Sequence, residues 1–167
     1  MLHIRRRIDI RRPLKEYDAI MIGADIYQVM RNGYERYVAT HYPYVREADQ
    51  KTIYGSYKKL GTVIECKKDG FPTFLLMYVT VGKYGKKVDT LDYEKLEECL
   101  KYINVMYRGK HLASTWVGTN SYDGNGSIPK VCSMYARCLK NVHVDIYSDK
   151  YDRRIKKNKY DKKIKPE

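Results

Sequence analysis

A glycine-rich segment, Gly118-Thr119-Asn120-Ser121-Tyr122-Asp123-Gly124-Asn125-Gly126, follows an apolar run and leads into Ser127, Ile128 and Pro129. Ser at the cap and Pro in the first turn mark the start of a helix. The segment therefore delivers a loop onto free helix N–H groups, which can hold an anion or phosphate through backbone donors and the helix dipole. Residues 24–33 form a second loop of this kind, between an apolar run and a helical pattern. Neither G-x-x-x-x-G-K-[ST] nor G-x-G-x-x-G occurs, which excludes the familiar nucleotide-loop signatures.

Other chemistry sits at the ends of the chain. Arg5-Arg6-Arg7 and Arg11-Arg12 open it; Arg153-Arg154, Lys156-Lys157, Lys159, Lys162-Lys163 and Lys165 close it, with Tyr151 and Tyr160 interleaved. Basic runs of this sort contact phosphate backbones with strong salt dependence and little sequence preference. Arg5, Arg7, Arg153, Arg154, Lys156 and Lys157 are the candidate contacts to nucleic acid or to an acidic protein surface. The competing readings are a solvated tail that aids solubility and an assembly surface. Cys66, Cys99, Cys132 and Cys138 form no C-x-x-C pair, and the four His are scattered. That argues for reduced, buried thiols and against structural zinc; no metal or cofactor is expected.

The elements that must position the two loops follow from periodicity. Leu2, Ile4, Ile8 and Ile10 alternate as a strand, and Tyr17–Ile22 reads as a short central strand. Val29, Gly33, Tyr34, Tyr37 and Val38 share one helical face, closed by His41-Tyr42-Pro43. Residues 44–60 read as irregular. Thr62–Cys66 and Thr73–Val81 form a hairpin around Lys68-Asp69-Gly70. Leu91–Tyr107 is a helix with Leu96, Cys99, Leu100, Ile103 and Met106 on one side, capped by Asp89 or Thr90 and ended by Gly109. His111–Val117 is a strand. The helix from Ser127 buries Ile128, Val131, Cys132, Tyr135, Cys138 and Leu139, and Val142–Tyr147 is a last alternating strand. The order predicts a three-layer α/β/α domain with a mixed sheet over residues 1–148, followed by a basic tail at 149–167 that is disordered or ordered by a partner.

The whole chain has 167 residues and a formal charge of +13, with 18 Tyr against two Phe and one Trp. Its length and 43% apolar content suit one globular domain. Residues 1–17 carry six basic and two acidic side chains and residues 149–167 nine and four, so most of the excess charge is terminal. The Tyr count reflects either a skewed genome or half-buried and interface positions. The longest uncharged stretch, Gly70 to Gly82, is too short for a membrane helix, and Met1–Arg12 lacks the apolar core of a secretory signal. A soluble, cytoplasmic protein (host cytoplasm or virion, if viral) is expected, with no membrane partner.

In this arrangement the chain resembles a macro domain, the ADP-ribose-recognising α/β/α module, and most closely its short phage, bacterial and terminal glycohydrolase forms. The resemblance spans about residues 2–148. Asp9-Ile10 stands where the family has G-D-I, and Ala19-Ile20-Met21-Ile22-Gly23-Ala24-Asp25-Ile26-Tyr27-Gln28-Val29-Met30 where it has a strand, an Asn and G-V-M-G-x-G. Leu60-Gly61-Thr62-Val63 matches a stretch before the hairpin, Asp92-Tyr93-Glu94-Lys95-Leu96 the family's D-Y-E-x-L, Trp116-Val117-Gly118 its R-I-G, and Val142–Tyr147 its last strand.

The resemblance implies roles residue by residue. Asp9 would bond the adenine amino group with Ile10 beside it, and Tyr147 would stack the ring, a contact worth about 1–3 kcal/mol. Asp25 replaces the Asn that contacts the distal ribose, and a carboxylate there repels a diphosphate. Arg31-Asn32-Gly33 replaces G-x-G; Arg31 fills that space, although its charge can bind an anion. Gly118, Thr119, Asn120, Ser121 and Tyr122 match the second phosphate loop, with Asn120 in place of its middle Gly. Lys83 and Asp123 lie near the two catalytic positions of the terminal glycohydrolases. These substitutions imply an ADP-ribose or adenine-nucleotide binder without efficient hydrolysis. The alternatives are a structural or nucleic-acid-associated subunit, for instance of a virion, using the same fold in an oligomer or larger assembly, and an active ADP-ribosyl hydrolase.

Overall fold

The computed structural model describes residues 1–6, 16–30, 33–82, 91–119 and 126–148. Within them the order is β1 (Leu2–Arg6), β2 (Ala19–Asp25), α1 (Gly33–His41), α2 (Pro43–Gln50), β3 (Val63–Cys66), β4 (Phe74–Thr80), α3 (Tyr93–Met106), β5 (His111–Ser114), α4 (Ile128–Cys138) and β6 (His143–Ser148). A 3₁₀ turn at Tyr57–Lys59 precedes β3. The six strands run in the order β1-β6-β5-β2-β4-β3. Only β3 is antiparallel to its neighbour, making the sheet mixed.

Side-chain alternation divides the core into two. Ala19 and Met21 of β2 point with Leu75, Met77, Leu112, Val144 and Ile146 toward α3 and α4, where Leu96, Leu100, Val131 and Tyr135 close the layer. Ile20, Ile22 and Ala24 point the other way, with Phe74, Leu76, Tyr78 and Ala113, onto Val38 of α1 and Val45 of α2. Every residue of β2 and β4 is buried, as expected of central strands covered on both faces. The three-layer α/β/α architecture with a mixed sheet is thus the observed one.

Several boundaries differ from the sequence reading. Residues 44–60 are not irregular: Pro43 opens α2 rather than closing α1, since a residue without an N–H fits the first helical position. The Tyr44 hydroxyl donates to the Pro72 carbonyl and ties α2 to the β3–β4 hairpin. The cap of α3 is Asp92, whose carboxylate accepts from Lys95 N at 3.0 Å, not Asp89 or Thr90. Ser127 does cap α4, accepting from Lys130 N. Of the apolar positions expected on α1, Val38 is buried, whereas Tyr34 and Tyr37 remain partly exposed. Cys66, Cys99 and Cys138 are buried, Cys132 is half-buried, and all four are free thiols. Among the described residues no helix is long and apolar enough to cross a membrane.

Candidate functional site

The loops leaving β2 and β5 emerge side by side, because these strands are parallel neighbours. A Cβ at Gly23 would lie 2.8 Å from Val117 Cγ1 and 3.9 Å from Glu35 Oε1. The missing side chain at 23 therefore lets the strand carrying the first loop, the stretch entering the second, and the first turn of α1 converge.

The first loop is built around Asp25. The β2–β4 register shifts between Ala24 and Asp25, which pairs with Thr80; such irregularities re-aim a side chain. The Asp25 carboxylate accepts from the N–H of Tyr27 at 2.6 Å and of Val29 at 3.3 Å, so it organises its own loop. Gln28 takes φ 59, the left-handed region that a non-glycine residue rarely adopts. Its carboxamide donates to the carbonyls of Thr52 at 2.8 Å and Asp49 at 3.0 Å. Gly33, at φ 52, begins α1.

Beneath this loop lies a polar cluster that sequence reading missed. Asp49 is 1% exposed and accepts from the Tyr78 hydroxyl at 2.6 Å. Burial pushes its carboxyl above the ordinary range, opposed by that hydrogen bond and by the Lys59 charge. Lys59, also buried, donates to Thr52 Oγ1 at 2.9 Å and lies 4.7 Å from the Tyr78 ring centroid. Burial holds its ammonium below the usual lysine value, against the pull of Asp49 and Asp25. The only sequence signal for this cluster was the helical spacing of Val45 and Asp49 after Pro43.

The second loop is pinched at its neck. Gly118 has φ 72, and a Cβ there would meet Leu91 Cδ1 at 2.5 Å. Its carbonyl accepts from Gly126 N at 2.8 Å, so entry and exit of the loop are joined. Thr119 folds back, its hydroxyl donating to the Trp116 carbonyl at 2.7 Å. At the exit, Ser127 N–H donates to the Tyr93 hydroxyl at 2.8 Å, and the Lys130 ammonium lies 3.7 Å from the Tyr93 ring centroid.

In β6, on the far side of β5 from β2, Tyr147 is 4% exposed. Its hydroxyl is 2.6 Å from that of Tyr17, which donates to Asp145 at 2.6 Å. Asp145 also faces His111 Nε2 at 3.2 Å. Burial, then the hydrogen bond to Asp145, pushes the Tyr17 phenol well above its ordinary value. This network was not read from the sequence, because its members are far apart in the chain. Arg5 lies in β1, its Cα paired with that of Tyr147. Asp9, Ile10, Arg31, Asn120, Ser121, Tyr122, the pair Lys83 and Asp123, Arg7 and the tail residues Arg153, Arg154, Lys156 and Lys157 lie outside the described residues. The structure thus brings Asp25, Gly33, Gly118 and Thr119 to one end of the sheet.

A sheet of this order, layered between two helix pairs and with paired loops at the strand ends, is the macro-domain fold. Solved structures bear this out. The chain superimposes on a protein of unknown function from Bacteroides thetaiotaomicron with TM-score 0.70 at 14% identity, covering 88% of this chain and 97% of that one. It matches the macrodomain of Thermus aquaticus DarG with TM-score 0.64 at 17% identity, over 89% of this chain and 98% of the other. It also matches Thermosipho africanus DarTG, solved in complex with ADP-ribose, with TM-score 0.66 at 17% identity, over 87% of this chain but 41% of that one. No family model and no curated protein matches the sequence, so the likeness resides in the fold.

Proposed function

We propose that this protein binds ADP-ribose or a related adenine nucleotide in the cleft between residues 24–33 and 118–126, without efficient hydrolysis. The observation that carries the reading is the convergence of two strand-to-helix loops at Gly23 and Val117. One loop leads into α1 and the other into the capped α4, and the N–H groups of two helix N-termini would suit a diphosphate. The likeness to Thermosipho africanus DarTG, solved in complex with ADP-ribose, supports the same choice. Asp9 and Tyr147 would hold the adenine, and Arg31, Asn120, Ser121 and Tyr122 would complete the phosphate loops. Weak hydrolysis follows from Asp25: its carboxylate is bonded to Tyr27 N and Val29 N, and it stands where the family has Asn.

Titration calorimetry and thermal shift with ADP-ribose and AMP test this. A ligand at a hundred times its Kd adds about 2.7 kcal/mol to stability, which raises Tm by about 5–10 °C for a chain of this size. No heat and no shift at millimolar ligand would sink the proposal. The burial of Tyr147 and its bond to Tyr17 favour a second reading, a structural subunit that keeps the fold without the ligand. Activity on ADP-ribosylated protein, abolished by Asp123→Ala, would instead establish a hydrolase using Lys83 and Asp123.

A further inference from the structure

The connector between α2 and β3 leaves aromatic surface in water. Ile53, Tyr54 and Tyr57 are 76%, 68% and 63% exposed. These rings are held in place rather than left loose. Gly55, at φ 68, donates its N–H to the Ile26 carbonyl at 2.8 Å and lays the connector against the first loop. A side chain at 55 would be strained in that backbone and would crowd the Tyr27 ring, 3.2 Å away. Tyr54 meets Tyr27 edge-on, with centroids 5.5 Å apart at 70°. Underneath, Gln28 and Lys59 both bond to Thr52, so the ledge has a fixed base.

The charge around it is one-sided. Over residues 46–58 the exposed ionisable side chains other than the tyrosines are Arg46, Glu47, Lys51 and Lys58, three cations and one anion. The buried carboxylate of Asp49 faces the buried Lys59 and does not offset them. Flat phenol faces beside cations fit a partner that offers flat rings and phosphates together. A duplex stacks its bases on each other and withholds them; an acidic peptide has the charge without the rings. We infer that Tyr54 and Tyr57, flanked by Lys51 and Lys58, form a stacking site for unpaired bases of a single-stranded nucleic acid. The site lies on the connector between α2 and β3, against the outer side of the loop after β2.

Fluorescence anisotropy of the full-length chain with labelled oligo(dT) and oligo(U), each about twelve nucleotides, tests this. Tyr54→Ala and Tyr57→Ala should each weaken binding by about ten-fold, and Tyr54→Phe should retain it. A duplex of equal length should bind more weakly, and Lys58→Gln should flatten the log–log salt slope by about 0.7. The basic termini are present in every variant and cannot produce a tyrosine-dependent difference. Wild-type affinity in the Tyr54→Ala, Tyr57→Ala double variant, with unchanged circular dichroism and Tm, would overturn the inference. So would dimerisation in sedimentation velocity that Tyr54→Ala abolishes, without any tyrosine-dependent oligonucleotide binding; the ledge would then belong to a second copy of the chain. ADP-ribose calorimetry on Lys58→Gln should match wild type, so this inference and the cleft reading fail independently.

Discussion

Gln28 holds a left-handed backbone while its carboxamide donates to the Thr52 carbonyl at 2.8 Å, pinning the loop after β2 onto the end of α2. The hydrogen bonds offset a conformation that a glutamine would otherwise avoid. Gln28→Ala removes the bonds and keeps the strain, and should cost about 1–3 kcal/mol. Gln28→Gly loses the same bonds but relieves the strain, and should be less harmful by about 1 kcal/mol. Urea midpoints of the two variants give the order directly; an alanine variant as stable as glycine would contradict the strain.

Gly118 and Leu91 make a second pair whose coupling can be measured. Gly118→Ala brings a methyl against Leu91 and strains a positive φ, and should destabilise by about 1–3 kcal/mol. In a Leu91→Ala background the steric part disappears and only the backbone part remains. A double-mutant cycle should therefore show a clear interaction energy. Strict additivity would mean that the neck relaxes by some other route.

If the cleft takes a diphosphate, Asp25 opposes it. Asn keeps an oxygen that can accept from Tyr27 N and Val29 N but removes the charge. Relief of about 1 kcal/mol of repulsion corresponds to about five-fold tighter ADP-ribose. Adenosine, which has no phosphate, should bind both forms equally. Weaker ADP-ribose binding by Asp25→Asn would place the carboxylate on the ribose instead.

Alkaline stability follows from the buried phenols and thiols. Burial pushes Cys66 and Cys99 up to about 12 from an ordinary 9.0. Burial likewise raises Tyr17, Tyr44, Tyr78 and Tyr135 above 10.0. Raised values mean that the unfolded chain releases these protons first. Their stabilisation is complete below the unfolded values and is lost as pH climbs toward the folded ones. The unfolding free energy should fall from about pH 9 upward, by up to about 1.4 kcal/mol per pH unit per group. Denaturant titrations between pH 7 and 11 will read this, and Tyr78→Phe should make the upper part shallower.

The sheet and two of its helices were legible because their apolar patterns are long. Phe74–Thr80 is a continuous buried run, and Leu96, Cys99, Leu100 and Ile103 recur at helical spacing. Helix α2 was not legible for a physical reason. Its buried positions are Val45 and Asp49, and an inward carboxylate breaks the apolar stripe. Its start also lacks a side-chain cap, leaving Pro43 to be taken as a stop. The described parts of the two candidate loops, residues 24–30 with 33 and residues 118–119 with 126, lie at the end of β2 and beyond β5, which stops at Ser114 rather than Val117. What the Asp25 carboxylate does there was not foreseeable, because it depends on a register shift against β4. Asp145 was hidden likewise. A charge in a strand reads as outward-facing, yet Tyr17, 128 residues away, supplies its partner from another part of the chain.

The two loops serve opposite sides of the molecule: the first feeds α1, packed on one face of the sheet, and the second feeds α4, packed on the other. A molecule seated between them would bridge two cores that otherwise communicate only through the strands. Occupancy would then slow local opening in both outer layers together, so amide exchange in α1 and α4 should decline in concert although the two helices lie on opposite faces of the sheet. The cleft would act as a clasp across the sheet, making the ligand a contributor to the cooperativity of unfolding.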